Sequence, residues 1–169
     1  MPRKINLKSL RLDHGGGLRV GKRKIARPFD HSRCMVVVFS SSRAKGVWSL
    51  LRPNNKTRVE KTIESCARRY QIKIYRFDNM GSQLHLLIKT KSKDYWQAKC
   101  EFQSFIRQVP GEIAFQIMKA KKTKAMGRFW DHLTYSRIVS WEHEFDSLQK
   151  NHSLYEGGEG SPEVHGFDS

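Results

Sequence analysis

Acidic residues are scarce in this chain. Sixteen Asp and Glu stand against 32 Lys and Arg over 169 residues, a formal charge of +16. A chain so one-sided repels itself unless a polyanion neutralises it. Nucleic acid is the usual partner, because each neutralised phosphate releases a condensed counterion; an anionic membrane surface is the competing one. Long apolar runs are also missing. No stretch of about 18 apolar residues is present to span a bilayer, and no apolar segment near the N-terminus reads as a secretion signal. The expected setting is therefore cytoplasmic, on the nucleoid or a ribonucleoprotein, with no membrane partner. Cysteine is sparse too: Cys34, Cys66 and Cys100 are odd in number, widely spaced and form no CxxC pair. Neither a zinc site nor a disulfide framework is indicated, and reduced thiols are expected. What remains suffices for one core and no second one, with nine Phe, five Tyr and four Trp as bulk.

Residues 1–33 show almost no hydrophobic periodicity and carry a run of cations that includes Arg19, Lys22, Arg23, Lys24 and Arg27. They read as a basic arm, either solvated or ordered along a phosphate backbone. His14-Gly15-Gly16-Gly17 breaks any helix there, and Arg27-Pro28-Phe29 reads as extended chain. The domain proper spans 34–155. Cys34 to Phe39 is a β-branched run that reads as a buried strand, and Asn55 is placed to cap the helix after the Arg52–Asn55 turn. Val59, Ile63, Cys66 with Ala67, and Tyr70 recur at helical spacing. A strand from Gln71 to Phe77, a turn at Asn79–Ser82 and a strand from Gln83 to Thr90 form a hairpin. Tyr75 and Phe77 alternate onto one face of the first hairpin strand, without indicating which. A second amphipathic helix runs from Asp94 to Gln108 with Trp96, Cys100 and Phe105 on its buried side. Val109-Pro110-Gly111 interrupts it before Glu112–Met118. The loop containing Lys119, Lys121, Lys122 and Lys124, followed by Arg128, is a second basic stretch. Arg137–Trp141 reads as the last strand and Glu142 to about His152 as a third helix. Residues 156–169 are Gly-rich and acidic and are expected to be a disordered tail. The order β-α-β-β-α-β-α is that of an α+β, ferredoxin-like split βαβ sandwich with an extra C-terminal helix. Both sandwich helices lie on one sheet face in that architecture, and the other is left for a ligand.

In Gln83-Leu84-His85-Leu86-Leu87-Ile88 the period-two alternation puts Leu84, Leu86 and Ile88 on one face and Gln83 with His85 on the other. This segment resembles the His-hydrophobic-His motif of the HUH endonucleases, and among them the small single-tyrosine transposases, whose strand usually reads Asn-His-x-His-Leu-Leu. Gly127-Arg-Phe-Trp130 with Tyr135-Ser-Arg-Ile-Val139 is similar to the stretch before that family's catalytic helix. His14-Gly15-Gly16, Lys22-Arg-Lys24 and Arg27-Pro-Phe-Asp30 resemble N-terminal segments of a bacterial subgroup. The resemblance covers roughly residues 14 to 155. It implies a protein that recognises hairpin or single-stranded DNA, with a divalent cation (Mg or Mn) as cofactor and a tyrosine as nucleophile.

The departures fall on the chemistry. Gln83 stands where the family has its first His, and Ser82 where it has the preceding Asn. Aligned on Glu144-Phe145, the nucleophile position falls on Asn151 and the later amide position on Tyr155, so the two residue types are interchanged. The vestigial metal pair is thus His85 with Gln83, and a neutral amide beside one His is a poor shell for a hard cation. Tyr155 lies one helical turn, about 6 Å, beyond the expected nucleophile, where an error of even about 1 Å costs on the order of a hundredfold in rate. Tyr135, in an aromatic-rich stretch, is the second tyrosine to weigh and has packing as its simpler role. The expectation is a transposase-like protein that keeps nucleic-acid binding and has lost or weakened strand cleavage. The alternatives are an RNA-binding structural protein recruited to a ribonucleoprotein such as the ribosome, and an active single-strand DNA transposase; a duplex-DNA regulator is a weaker fourth.

Overall fold

The computed structural model describes residues 13–17, 26–119 and 128–139, with side chains through 118 in the second of these. β1 (Asp13–His14), β2 (Met35–Ser40), α1 (Pro53–Arg69), β3 (Ile72–Asn79), β4 (Gln83–Thr90), α2 (Tyr95–Lys119) and β5 (Tyr135–Ile138) follow in that order. The strands form one antiparallel sheet in the order β1-β5-β2-β4-β3. Setting aside the two-residue β1, this is the ferredoxin-like split βαβ arrangement, and the α+β reading holds. The proposed third helix, the basic loop at 120–127 and the tail lie outside the described residues.

The core forms on one side of the sheet. Met35, Val37 and Phe39 of β2 and Leu84, Leu86 and Ile88 of β4 point to it, as period-two alternation requires. They meet Val59, Ile63, Cys66 and Ala67 of α1 and Phe102, Phe105, Ile106, Val109, Ile113 and Ile117 of α2. Pro53 sits in the first turn of α1, where its missing N–H costs nothing. Asn55 therefore is not the cap that the sequence suggests. It is buried inside the first turn, and its Nδ2 donates to the carbonyls of Val47 and Ser49 at 3.0 and 2.9 Å, holding the preceding 3-10 turn against the helix. Burial makes this amide more useful as a tie between two segments than as an exposed cap.

Two more expectations are corrected in α2. The helix runs without a break from Tyr95 to Lys119 with Pro110 inside it. Proline lacks the N–H that would reach the carbonyl of Ile106. The Thr134 hydroxyl donates to that carbonyl instead, at 3.4 Å, while Trp130 Nε1 donates to the Pro110 carbonyl at 2.8 Å. The apolar stripe continues through Val109, Ile113 and Ile117, so packing carries the helix past the proline. The buried stripe begins at Ala98 and continues at Phe102 and Phe105, whereas Trp96 is 68% exposed and Cys100 is exposed as well. At 100° per residue, a position two residues off the stripe points far from the core.

Part of the N-terminal arm belongs to the sheet. Asp13 and His14 pair with Arg137 and Ser136 of β5. Gly15 follows at φ +86, where a Cβ would lie 2.1 Å from the Thr134 carbonyl oxygen, so only glycine fits this approach. Phe29 packs its ring on Tyr95 and Phe102, centroids 5.8 and 5.3 Å apart.

Candidate nucleic-acid interface

The residues opposite the helices define a second sheet face whose rows follow from strand register. His85 of β4 is paired with Val38 of β2 on one side and Asp78 of β3 on the other, and Val38 is paired with Tyr135 of β5. Tyr135, Val38, His85 and Asp78 therefore form one row across four strands. In the next row Arg137 lies opposite Val36, Val36 opposite Leu87, and Leu87 opposite Arg76. Beyond it Lys73 and Lys89 stand directly opposite each other. The middle of this face is apolar: Val36, Leu87 and Val139 are buried, with Cys34, Val38 and Tyr75 against them. Polar and cationic side chains surround that strip.

An irregularity in β3 shapes the face. The register shifts between Ile74 and Arg76, leaving Tyr75 as the extra residue of a β-bulge. Tyr75 consequently packs with the Val36–Leu87–Val139 group while Phe77 packs with the helix-side core. The simple alternation that put both aromatics on one face is broken by that residue. Lys73 Nζ lies 4.5 Å from the centre of the Tyr75 ring, a cation–π contact that fixes the ammonium at the rim of the face. Cys34 is part of the same corner. Burial pushes its thiol above its ordinary pKa, opposed by the nearby charges of Lys89 and Lys73. Two like charges directly across a strand pair are unfavourable in isolation, and an anion placed between them relieves the repulsion.

The resemblance-derived metal pair is brought together. Gln83 and His85 share the second face as expected, and His85 Nε2 donates to Gln83 Oε1 at 2.9 Å. His85 is only 4% exposed. A cation held by both residues would need the Nε2 proton removed and the Gln83 Oε1 lone pair that this hydrogen bond engages. Asp78, the carboxylate in register with His85, is held by Arg76 in an ion pair at 2.6 Å, both side chains mostly buried. Among the described residues no three His, Cys, Asp or Glu side chains are grouped so as to hold a metal ion. This donor set does not fit a hard divalent cation, which takes several oxygens.

The remaining site residues separate. Tyr135 is on the same row as His85 but two strands away, roughly 10 Å at ordinary strand spacing. Its ring also borders Gly16, where a Cβ would sit 3.4 Å from it. Arg27 is on the helix side, half-buried, with Nη1 donating to the Ser136 hydroxyl at 2.5 Å. Burial lowers its guanidinium pKa to about 10, still protonated at neutral pH. Arg128 is exposed on the segment returning to β5. Lys119 is the last residue of α2. Arg19, Lys22, Arg23, Lys24, Lys121, Lys122, Lys124 and Tyr155 lie outside the described residues.

Sequence reasoning missed Lys73, Lys89 and Asp78. The hairpin turn at Asn79–Ser82 supplies the signal for the Asp78–His85 pair, by counting outward from the turn. The bulge shifts the count by one before Lys73 and Lys89 are reached. Among the described residues no helix is long and apolar enough to cross a membrane.

No family model matches the chain, and no curated protein matches it. Among solved structures, one from Deinococcus radiodurans R1, assigned as a transposase, is similar over 76% of this chain and 94% of that one, at 13% identity and a TM-score of 0.47. At that level the likeness carries no inference about activity.

Proposed function

We propose that this protein binds nucleic acid, hairpin or single-stranded DNA in the manner of the HUH transposases it resembles, and that it acts by binding without cutting the strand. The observation that carries the reading is the cationic rim of the second sheet face. Lys73 and Lys89 stand opposed there beside Tyr75, on a chain of formal charge +16. Phosphate is the anion that a nucleic acid repeats along its length, and each contact releases a counterion. The basic stretches at Arg19–Arg27 and Lys119–Arg128 add charge of the same sign.

Three things argue against cleavage. The two metal-pair residues bond to each other, and their neighbouring carboxylate is committed to Arg76. The expected nucleophile position is Asn151, with Tyr155 a turn later. In-line attack on a phosphodiester needs both the cation and a positioned tyrosyl oxygen.

The test is to crosslink the protein in its own cells and sequence what is bound, then incubate purified protein with labelled hairpin DNA and Mn²⁺ on a denaturing gel. Enriched palindromic or single-stranded DNA without a denaturant-resistant adduct is the expected result. A covalent adduct, mapped to Tyr155 or Tyr135, would restore an active transposase. Enrichment of one abundant RNA would make it a recruited RNA-binding protein.

A further inference from the structure

Trp96 is the side chain hardest to reconcile with a merely solvated surface. It is 68% exposed on the first turn of a 25-residue helix, and the adjacent Tyr95 is also exposed. The helix is well anchored there. Asp94 Oδ1 accepts from the Gln97 backbone N–H at 2.7 Å, and the Tyr95 ring is braced by Phe29 at 5.8 Å and by the His31 ring, edge-on, at 5.9 Å. The Trp96 ring meets Tyr95 edge to face at 5.3 Å. Lys99, one turn on, places Nζ 5.2 Å from the Trp96 ring and 5.6 Å from the Tyr95 ring. Among the described residues a braced indole beside an ammonium thus stays largely exposed, with the Tyr95 ring against one edge.

The charges around it have one sign outward. The acidic groups nearby are satisfied from within. Glu101 accepts from the Ser92 hydroxyl at 2.6 and 2.8 Å and from Gln97 Nε2 at 3.0 Å; Asp94 caps the helix; Asp30 accepts from Ser32 and pairs with Arg33. Lys91 and Lys93, on the segment leading into α2, are exposed, and the described residues place no ion pair on them or on Lys99. Lys91 is also tied by its backbone N–H to the Gln71 carbonyl. Lys91 therefore adjoins the end of the hairpin where Lys73 and Lys89 are opposed.

We infer that Tyr95, Trp96 and Lys99 form a stacking platform for an unpaired base of single-stranded DNA, with Lys91 and Lys93 along its phosphates. This rests on the nucleic-acid reading above and adds to it a second contact surface, off the sheet. Every base offers a π face, so stacking on an exposed aromatic is tolerant of sequence, and an adjacent cation strengthens it. A base inside a duplex is already stacked on both sides, so the platform discriminates for single strands.

The test uses the full chain and fluorescence anisotropy with three labelled probes of the same length, oligo(dT), oligo(U) and a DNA duplex. Trp96→Ala is expected to weaken oligo(dT) binding about five- to a hundredfold, the range of one base–aromatic stack. Trp96→Phe keeps most of the affinity, and duplex binding is unchanged in both variants. Circular dichroism melting confirms that the exposed substitution leaves the fold intact. Wild-type affinity of Trp96→Ala for oligo(dT) overturns the platform and leaves the nucleic-acid reading standing. Equal weakening toward oligo(dT) and the duplex also overturns it. Tighter binding to oligo(U) with the same Trp96→Ala loss overturns the assignment to DNA. Failure of the wild-type protein to bind either DNA probe overturns the platform together with the reading beneath it.

Discussion

The two faces of β4 are built from alternate residues of one strand and do different work. Leu84, Leu86 and Ile88 are buried in the apolar core with residues of α1 and α2. Gln83, His85 and Lys89, one residue out of phase, meet an amide–imidazole hydrogen bond, a carboxylate row and an opposed lysine. On the first face an atom removed leaves a cavity. On the second, outside the buried strip of Val36, Leu87 and Val139, it changes a charge or a hydrogen bond on a sheet that the first face already holds together. The difference separates stability from binding residue by residue, and each variant below is a way of breaking one side while leaving the other.

The largest effect is expected from Leu86→Ala. A fully buried leucine at the centre of the helix-side core should cost about 2–5 kcal/mol, read as a lower urea midpoint. Affinity per folded molecule should be unchanged. Next, Lys73→Ala with Lys89→Ala should weaken DNA binding. It should also flatten the plot of log affinity against log salt by about 0.7 per lost contact on a single strand, with the melting temperature unchanged or slightly raised as the like-charge pair is removed. An unaltered slope would move the DNA away from this rim. Thr134→Val leaves the Ile106 carbonyl without the hydroxyl that replaces the proline N–H, and should cost about 1 kcal/mol of stability with no change in binding.

A smaller effect concerns Asp30. Burial would raise its carboxyl pKa, but hydrogen bonds from the Ser32 side chain and backbone and the charge of Arg33 outweigh it and leave it below its ordinary 3.8. A folded value below the unfolded one stabilises above the unfolded pKa and fades as pH falls through the folded one. Asp30→Asn should therefore differ in melting temperature from the wild type near neutral pH, and the difference should shrink once pH drops below about 3.8. Last, His85→Gln should leave DNA affinity unchanged, with or without Mn²⁺. Loss of a Mn²⁺-dependent part of binding in that variant would show a working metal pair.

Much of this was legible in the chain, for reasons that differ by element. β4 matches its sequence reading from Gln83 to Thr90 because strict alternation leaves one way to place its leucines. The Gln83–His85 pair came with it. What local pattern could not supply were effects created by distant chain. The Thr134 hydroxyl that lets α2 run past Pro110 is 28 residues from the carbonyl it reaches. The bulge at Tyr75 shows only once β3 is laid against β4. Hydrophobicity alone puts Trp96 in the core, although the stripe through Ala98, Phe102 and Phe105 points elsewhere. Asn55 has the chemistry of a cap and is used instead to hold a neighbouring turn, which only the packed structure reveals.

The central claim, binding without cutting, is tested most directly by titrating the wild-type protein with labelled hairpin DNA over a series of salt concentrations in Mn²⁺ and running the same samples on a denaturing gel. The account predicts a log affinity that falls linearly with log salt, and free, full-length DNA on the gel. A salt-independent or undetectable interaction, or a protein–DNA adduct that survives denaturation, would contradict it.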